Sequence, residues 1–149
     1  MNFSQITEHL FIGDTPRREE YDRLRELGVR LVINMRLEKP PAIDLHPSPI
    51  SFLWLPTADN PLLVIPIYAL KRGVQAALGT IQAGGKVYTH CAKGRHRGVA
   101  MGASILIAQG YDADQAMQLI KERRSIADPD IYYIRSRILR FARQYQGTG

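Results

Sequence analysis

The chain has a single cysteine, Cys91, among 149 residues. A lone thiol cannot close an internal disulfide, which excludes a disulfide-stapled secreted scaffold and suits a reducing cytoplasm. Long apolar runs are missing as well. No stretch of about 18 apolar residues occurs, so no transmembrane helix is expected. Met1-Asn2-Phe3-Ser4-Gln5 has neither a basic nor an apolar leader character, so no signal peptide is expected. Repeats and low-complexity tracts are absent. Acidic residues are outnumbered, 14 against 20 basic ones, for a net charge of +6. That balance favours anionic ligands, whether phosphorylated proteins, phospholipid headgroups or nucleic acid, and a solvated basic surface accounts equally well for charge far from any site. Apolar content of 45% and charged content of 23% are ordinary for a globular chain. One domain, residues 1–149, is expected.

What is present concentrates in one stretch. Val87-Tyr88-Thr89-His90 reads as a buried strand, and Val99 to Ala108 as an apolar helix. Between them lies Cys91-Ala92-Lys93-Gly94-Arg95-His96-Arg97-Gly98. Packing gives no reason to crowd Lys93, Arg95, His96 and Arg97 into one turn; an anion does. A strand turning into a helix aims backbone N–H groups at one point, and the helix dipole adds positive potential there. Both favour the thiolate form of Cys91, the nucleophilic one. Arg97 can hold two oxygens of a phosphoryl group with its planar fork, and Gly94 permits close backbone approach. The chemistry implied is attack by Cys91 on a bound phosphate, forming a phosphocysteine. Cys-x5-Arg alone is a weak signal, and a buried structural cysteine is the plain alternative.

The rest of the chain supplies a frame. Leu10-Phe11-Ile12-Gly13 is a short strand stopped by glycine. Thr15-Pro16 opens a helix, Arg17 to Leu27, with Tyr21, Leu24 and Leu27 as its apolar stripe and Gly28 as its cap. Arg30 to Met35 and Ile50 to Leu55 read as buried strands. Residues 37–49 are proline-rich and form a loop, in which Asp44 and His46 read as solvated. Pro66 to Ala83 is a helix with apolar positions at Tyr68, Leu70, Val74, Ala77, Leu78 and Ile81. Asp112 caps a helix from Ala113 to Arg124, and a last helix runs from about Asp130 to Tyr145 with Ile131, Ile134, Ile138 and Phe141 on one face. Tyr132 and Tyr133 read as packing or surface residues. The order β-β-α-β-β-α-β-α-α-α predicts an α/β fold: a mixed, mostly parallel sheet of four or five strands with helices on both faces. The site then lies at the carboxyl edge of the strands.

Cleaving a phosphate ester needs a proton donor at the leaving oxygen. Asp59, in Pro56-Thr57-Ala58-Asp59-Asn60-Pro61, ends a strand expected to neighbour the Cys91 strand. Asp128, in Asp128-Pro129, is the competing acid.

His90-Cys91-Ala92-Lys93-Gly94-Arg95-His96-Arg97 resembles the His-Cys-x5-Arg signature of cysteine-dependent protein tyrosine phosphatases, and the compact dual-specificity branch fits best. Leu55-Pro56-Thr57-Ala58-Asp59 is similar to that family's general-acid segment. An Ile-Gly turn, a helix, a Gly cap and a Val-Ile-Asn strand also occur in the family's order. The resemblance implies a metal-independent, cofactor-free phosphomonoester phosphatase. In it Cys91 is the nucleophile, Asp59 the acid and then the base, and Arg97 with the amides from Ala92 to Gly98 the phosphoryl cradle. His90 steadies the loop from beneath. Low-molecular-weight tyrosine phosphatases use an Asp-Pro acid, but with a cysteine near the N-terminus, which ranks Asp128 second. The family usually has Ser or Thr after the arginine to stabilise the leaving thiolate; this chain has Gly98. That feature favours a non-catalytic phosphate-binding module as a contrasting reading, and a rhodanese-like sulfur carrier would leave the Asp59 segment idle. A compact chain implies a shallow pocket open to phosphotyrosine, phosphoserine and phosphothreonine. Phosphoinositide phosphatases similar to this family carry two extra basic residues in the loop, as Lys93 and Arg95 do here, so a lipid or multiply phosphorylated substrate is the alternative. A monomer with no nucleic-acid partner and a cytoplasmic location are expected.

Overall fold

Alternation along the central strands divides the interior into two cores. In the computed structural model, which describes residues 1–147, the strands are β1 (Phe3–Gln5), β2 (Leu10–Gly13), β3 (Val29–Arg36), β4 (Ser51–Thr57) and β5 (Lys86–His90). The helices are α1 (Tyr21–Glu26), α2 (Ile67–Gln82), α3 (Arg97–Ala108), α4 (Ala113–Arg123) and α5 (Tyr132–Gly147), and a 3-10 turn, Arg18–Glu20, leads into α1. Leu10, Ile12, Leu31, Ile33, Met35 and Val87 point to one face and pack with α2, α3, α4 and α5. Phe11, Val32 and Tyr88 point to the other and pack with Tyr21 and Leu24 of α1. The period of two along each strand produces this partition.

The sheet order is β1-β2-β5-β3-β4. The β1–β2 pair is antiparallel; the β2–β5, β5–β3 and β3–β4 pairs are parallel. The strand carrying the cysteine loop therefore sits at the centre, flanked by β2 and β3. This corrects one expectation: the strand leading to Asp59 does not neighbour β5, because β3 lies between them. It also corrects a second. The 50–55 strand is not buried but the sheet edge, with Trp54 38% exposed. Edge placement explains how β4 accommodates Pro56, which has no N–H to donate.

Helix α3 is the hub, buried from Arg97 through Ile107. It is apolar all round because it is enclosed by the sheet and by α2, α4 and α5. Its start two residues before the expected Val99 brings Arg97 and Gly98 into its first turn. Asp112 caps α4: its carboxylate accepts from the Gln115 amide at 2.8 Å, and the Gln115 side chain accepts from the Asp112 amide at 3.1 Å. Tyr68, read as apolar packing, is 74% exposed on the first turn of α2. Asp44, read as solvated, is instead buried: it pairs with Arg25 and accepts from the amides of Ile50 at 2.8 Å and His46 at 3.2 Å. It folds the proline-rich loop back onto α1 and β4.

Candidate active site

The turn from β5 to α3 places Cys91, Ala92, Lys93, Arg95, His96 and Arg97 around one cavity of about 220 Å3, with Asp59 on its wall. A second cavity of about 200 Å3 lies behind His90, between Tyr21, Asn34 and Phe52, and contains none of Cys91, Arg97 or Asp59.

The loop is shaped from behind. The Cys91 carbonyl accepts from the Thr15 hydroxyl at 3.2 Å, and the Arg95 carbonyl from the Asp128 amide at 2.9 Å. Arg124 donates Nη2 to the Lys93 carbonyl at 2.9 Å and Nε to the Gly94 carbonyl at 2.8 Å. Its Nη1 reaches Asn2 Oδ1 at 3.0 Å and Ser4 Oγ at 3.1 Å. None of these donors lines the cavity. In a planar trans peptide the N–H opposes the C=O, so carbonyls committed outward turn the following N–H groups toward the cavity. Gly94 adopts φ +64°, and a Cβ there would lie 2.5 Å from the Gly13 carbonyl; only glycine fits. Gly98 is set by packing too: a Cβ would meet the His90 Cα and carbonyl carbon at 3.1 Å. Its carbonyl accepts from the Thr89 hydroxyl at 2.8 Å.

Cys91 is 4% exposed, and His90 beneath it 2%. Burial holds the His90 imidazole down to about 4, so it is neutral at pH 7. Its Nδ1 lies 3.4 Å from the Cys91 carbonyl.

Arg97 is fixed by a residue the sequence reading missed. Glu38, just past β3, accepts from Nη1 at 2.8 Å and from Nη2 at 3.0 Å. Nη1 also donates to the Thr57 carbonyl at 2.7 Å. The Arg97 hydrogen bonds hold the Glu38 carboxyl down to about 2. A guanidinium has three edges; Glu38 takes the one between Nη1 and Nη2, while Nε is buried with no partner among the described residues. The only available clue was an acid at the carboxyl end of a strand beside β5. Arg124 was read as the last residue of a helix, and nothing local distinguishes it from Arg123.

On the acid side, Asp59 Oδ1 accepts from the Tyr133 hydroxyl at 2.6 Å, and Oδ2 lies 3.0 Å from His96 Nδ1. Tyr133, read as packing or surface, is thus a direct partner of Asp59. Burial and the adjacent Asp59 carboxylate push the Tyr133 hydroxyl up to about 12, so it donates at neutral pH. For Asp59, burial acts upward but is outweighed by the Tyr133 and His96 hydrogen bonds, and its carboxyl ends below the usual range. Asp128 stands off: its Oδ2 is 3.7 Å from His96 Nε2 and 3.9 Å from Arg95 Nη2. Lys93 and Arg95 lie exposed at the rim. Among the described residues no group of three or more His, Cys, Asp or Glu side chains is arranged to hold a metal ion, and no helix is long and apolar enough to cross a membrane.

Cys91, Arg97 and Asp59 thus line one cavity, the first two on the turn into a buried helix. Residues 10–143 match the family model for the dual specificity phosphatase catalytic domain, and the chain belongs to that family. It is similar to mouse Dual specificity phosphatase 28, 25% identical over 130 residues, covering 87% of this chain and 77% of that one. It is also similar to mouse Dual specificity protein phosphatase 1, 25% identical over 141 residues, covering 94% of this chain and 37% of that longer protein. The crystal structure of human DUSP28 superposes with a TM-score of 0.86 at 22% identity, covering 98% of this chain and 96% of that one. PTPMT1 in complex with PI(5)P superposes with a TM-score of 0.87 at 24% identity, covering 98% and 97%.

Proposed function

We propose that residues 1–149 form one catalytic domain that hydrolyses phosphomonoesters of proteins through a phosphocysteine on Cys91. The observation that carries this reading is the convergence on one 220 Å3 cavity of Cys91 and Arg97, from the turn between β5 and α3, with Asp59, from the stretch after β4. Cys91 Sγ attacks phosphorus in line with the leaving oxygen; the S–P bond forms as the P–O bond breaks. Asp59 gives its proton to that oxygen. Arg97 holds phosphoryl oxygens with Nε and the free side of Nη2, while Glu38 fixes the guanidinium plane. The N–H groups of residues 92 to 98 hold the remaining oxygens at the start of α3. Water then attacks phosphorus, Asp59 takes its proton, and the thiolate leaves. His90, neutral and buried, supports the loop without touching phosphate.

Gly98 brings no hydroxyl to help the thiolate depart, so breakdown of the phosphocysteine is the slow step. A chromogenic aryl phosphate should release a burst of one equivalent of product, followed by slower steady turnover that disappears in Cys91→Ser. A burst with no turnover after it points to a one-turnover phosphoryl trap, and no product release at all to a phosphate-binding module.

A phosphoinositide or other multiply phosphorylated substrate is the second reading. It is favoured by Lys93 and Arg95, two exposed cations flanking the cavity, and by the structural likeness to a PTPMT1 complex with PI(5)P. A panel of phosphopeptides against soluble phosphoinositides, on wild type and Asp59→Asn, separates the two. The lone thiol favours a reducing, cytoplasmic setting; the domain needs no cofactor and acts as a monomer without nucleic acid.

A further inference from the structure

We infer that Tyr133 and His96 are positioning residues that grip both oxygens of Asp59 and aim its carboxyl at the leaving oxygen; this rests on the assignment of Asp59 as proton donor. The segment carrying Asp59 lies at the surface, closed by a turn in which Asn60 accepts from the Leu62 and Leu63 amides. Leu62 and Leu63 are 88% and 61% exposed, and Val64 is 41% exposed. An aspartate on such a segment would sample several orientations, and proton transfer falls off when donor and acceptor are not pre-aligned.

Helix α5 supplies the missing constraint at two points one turn apart. Tyr133 donates to Asp59 Oδ1 at 2.6 Å, and Arg137 Nε donates to the Ile65 carbonyl at 2.8 Å. Positions four apart share a helix face, so both ends of the segment dock on one surface. The Tyr133 ring is itself held, edge-on to Tyr132 at 5.6 Å and to His96 at 5.9 Å. His96 closes the other side. Its Nδ1 meets Asp59 Oδ2 at 3.0 Å, while its Nε2 faces Asp128 Oδ2 at 3.7 Å. Asp128 is anchored by its amide to the Arg95 carbonyl at 2.9 Å. The imidazole is thus wedged between the two aspartates, with one serving as acid and the other backing the wedge. Because Tyr133 occupies Oδ1, Oδ2 on the His96 side is the oxygen left to exchange a proton with substrate, and His96 and Asp59 both line the cavity.

The test is leaving-group dependence, which a merely structural role would not move. A strongly activated aryl phosphate needs little help from an acid; an alkyl phosphate depends on it. Tyr133→Phe removes one hydrogen bond and keeps the ring. Its kcat/KM, which reports phosphocysteine formation, should fall about tenfold on the alkyl phosphate, with under about twofold change on the activated ester. His96→Gln, which can still hydrogen-bond to Oδ2, should lose less on the alkyl ester than His96→Ala. In an Asp59→Asn background Tyr133→Phe should add no further loss. Equal losses on both esters, or a faster Tyr133→Phe enzyme, overturn the positioning role. An Asp59→Asn enzyme that keeps full activity on the alkyl ester overturns instead the assignment of the acid itself.

Discussion

Around Cys91 four loop carbonyls are bonded from behind, and the helix that follows is buried through eleven consecutive residues. Around Asp59 the chain runs along a sheet edge into a segment whose Leu62 is 88% exposed, and the carboxylate is held by two side chains from elsewhere. On the proposed roles, the nucleophile belongs to the core and the proton donor to the surface. The difference follows from the work each does. A phosphoryl cradle needs many donors fixed at once, which a central strand, a buried helix and a buried arginine can supply. A proton donor needs one well-aimed group near a mouth that substrate must enter, and an enclosed donor would block it.

That contrast can be broken at its strongest point first. Cys91→Ser should remove steady turnover by about 10^4-fold or more while leaving the fold intact, read from product release under saturating substrate. Arg124→Met should come next. It leaves the Lys93 and Gly94 carbonyls and the Asn2 and Ser4 side chains without their donor, and should cost about 3 kcal/mol or more in a urea titration as well as activity. A cradle that keeps its turnover without Arg124 would mean the loop shapes itself.

The pH dependence of stability probes the same core. His90 stays neutral in the fold down to about 4, against an ordinary value of 6.5. On acidification the unfolded chain takes up a proton that the native state refuses. Stability is therefore full above about pH 6.5 and falls by about 3 kcal/mol as the pH drops toward 4. Urea midpoints at pH 7 and pH 4.5 should show a larger loss in wild type than in His90→Asn. The exposed segment should give the smallest effect. Leu62→Ser should change stability by under about 0.5 kcal/mol and leave hydrolysis of an activated aryl phosphate unchanged.

The local signals that could be read were those with a period or a punctuation mark. Short apolar runs marked β2, β3 and β5, an all-apolar stretch marked α3 as central, and Asp112 marked the start of α4. Cys91, Arg97 and Asp59 stood out because each sat in a short pattern with a chemical purpose. Glu38, Arg124 and Tyr133 did not, because their roles exist only after folding. Glu38 meets Arg97 across 59 residues, and Tyr133 meets Asp59 across 74. The exposure of β4 was hidden for the same reason: an apolar run does not say whether a strand lies at the centre of a sheet or at its edge. That same gap misplaced β4 beside β5.

The least buried strand has an outsized part. β1 contributes three residues, none of them buried, yet Ser4 within it and Asn2 just before it steady one end of the guanidinium whose other end shapes the turn after Cys91. Trimming the first five residues would strip Met1 and Phe3 from the flank of the smaller core and also loosen the turn after Cys91. The eight-residue signature is consequently not portable: grafted onto another strand–helix turn without a counterpart to that brace, it would keep its spelling and lose its shape.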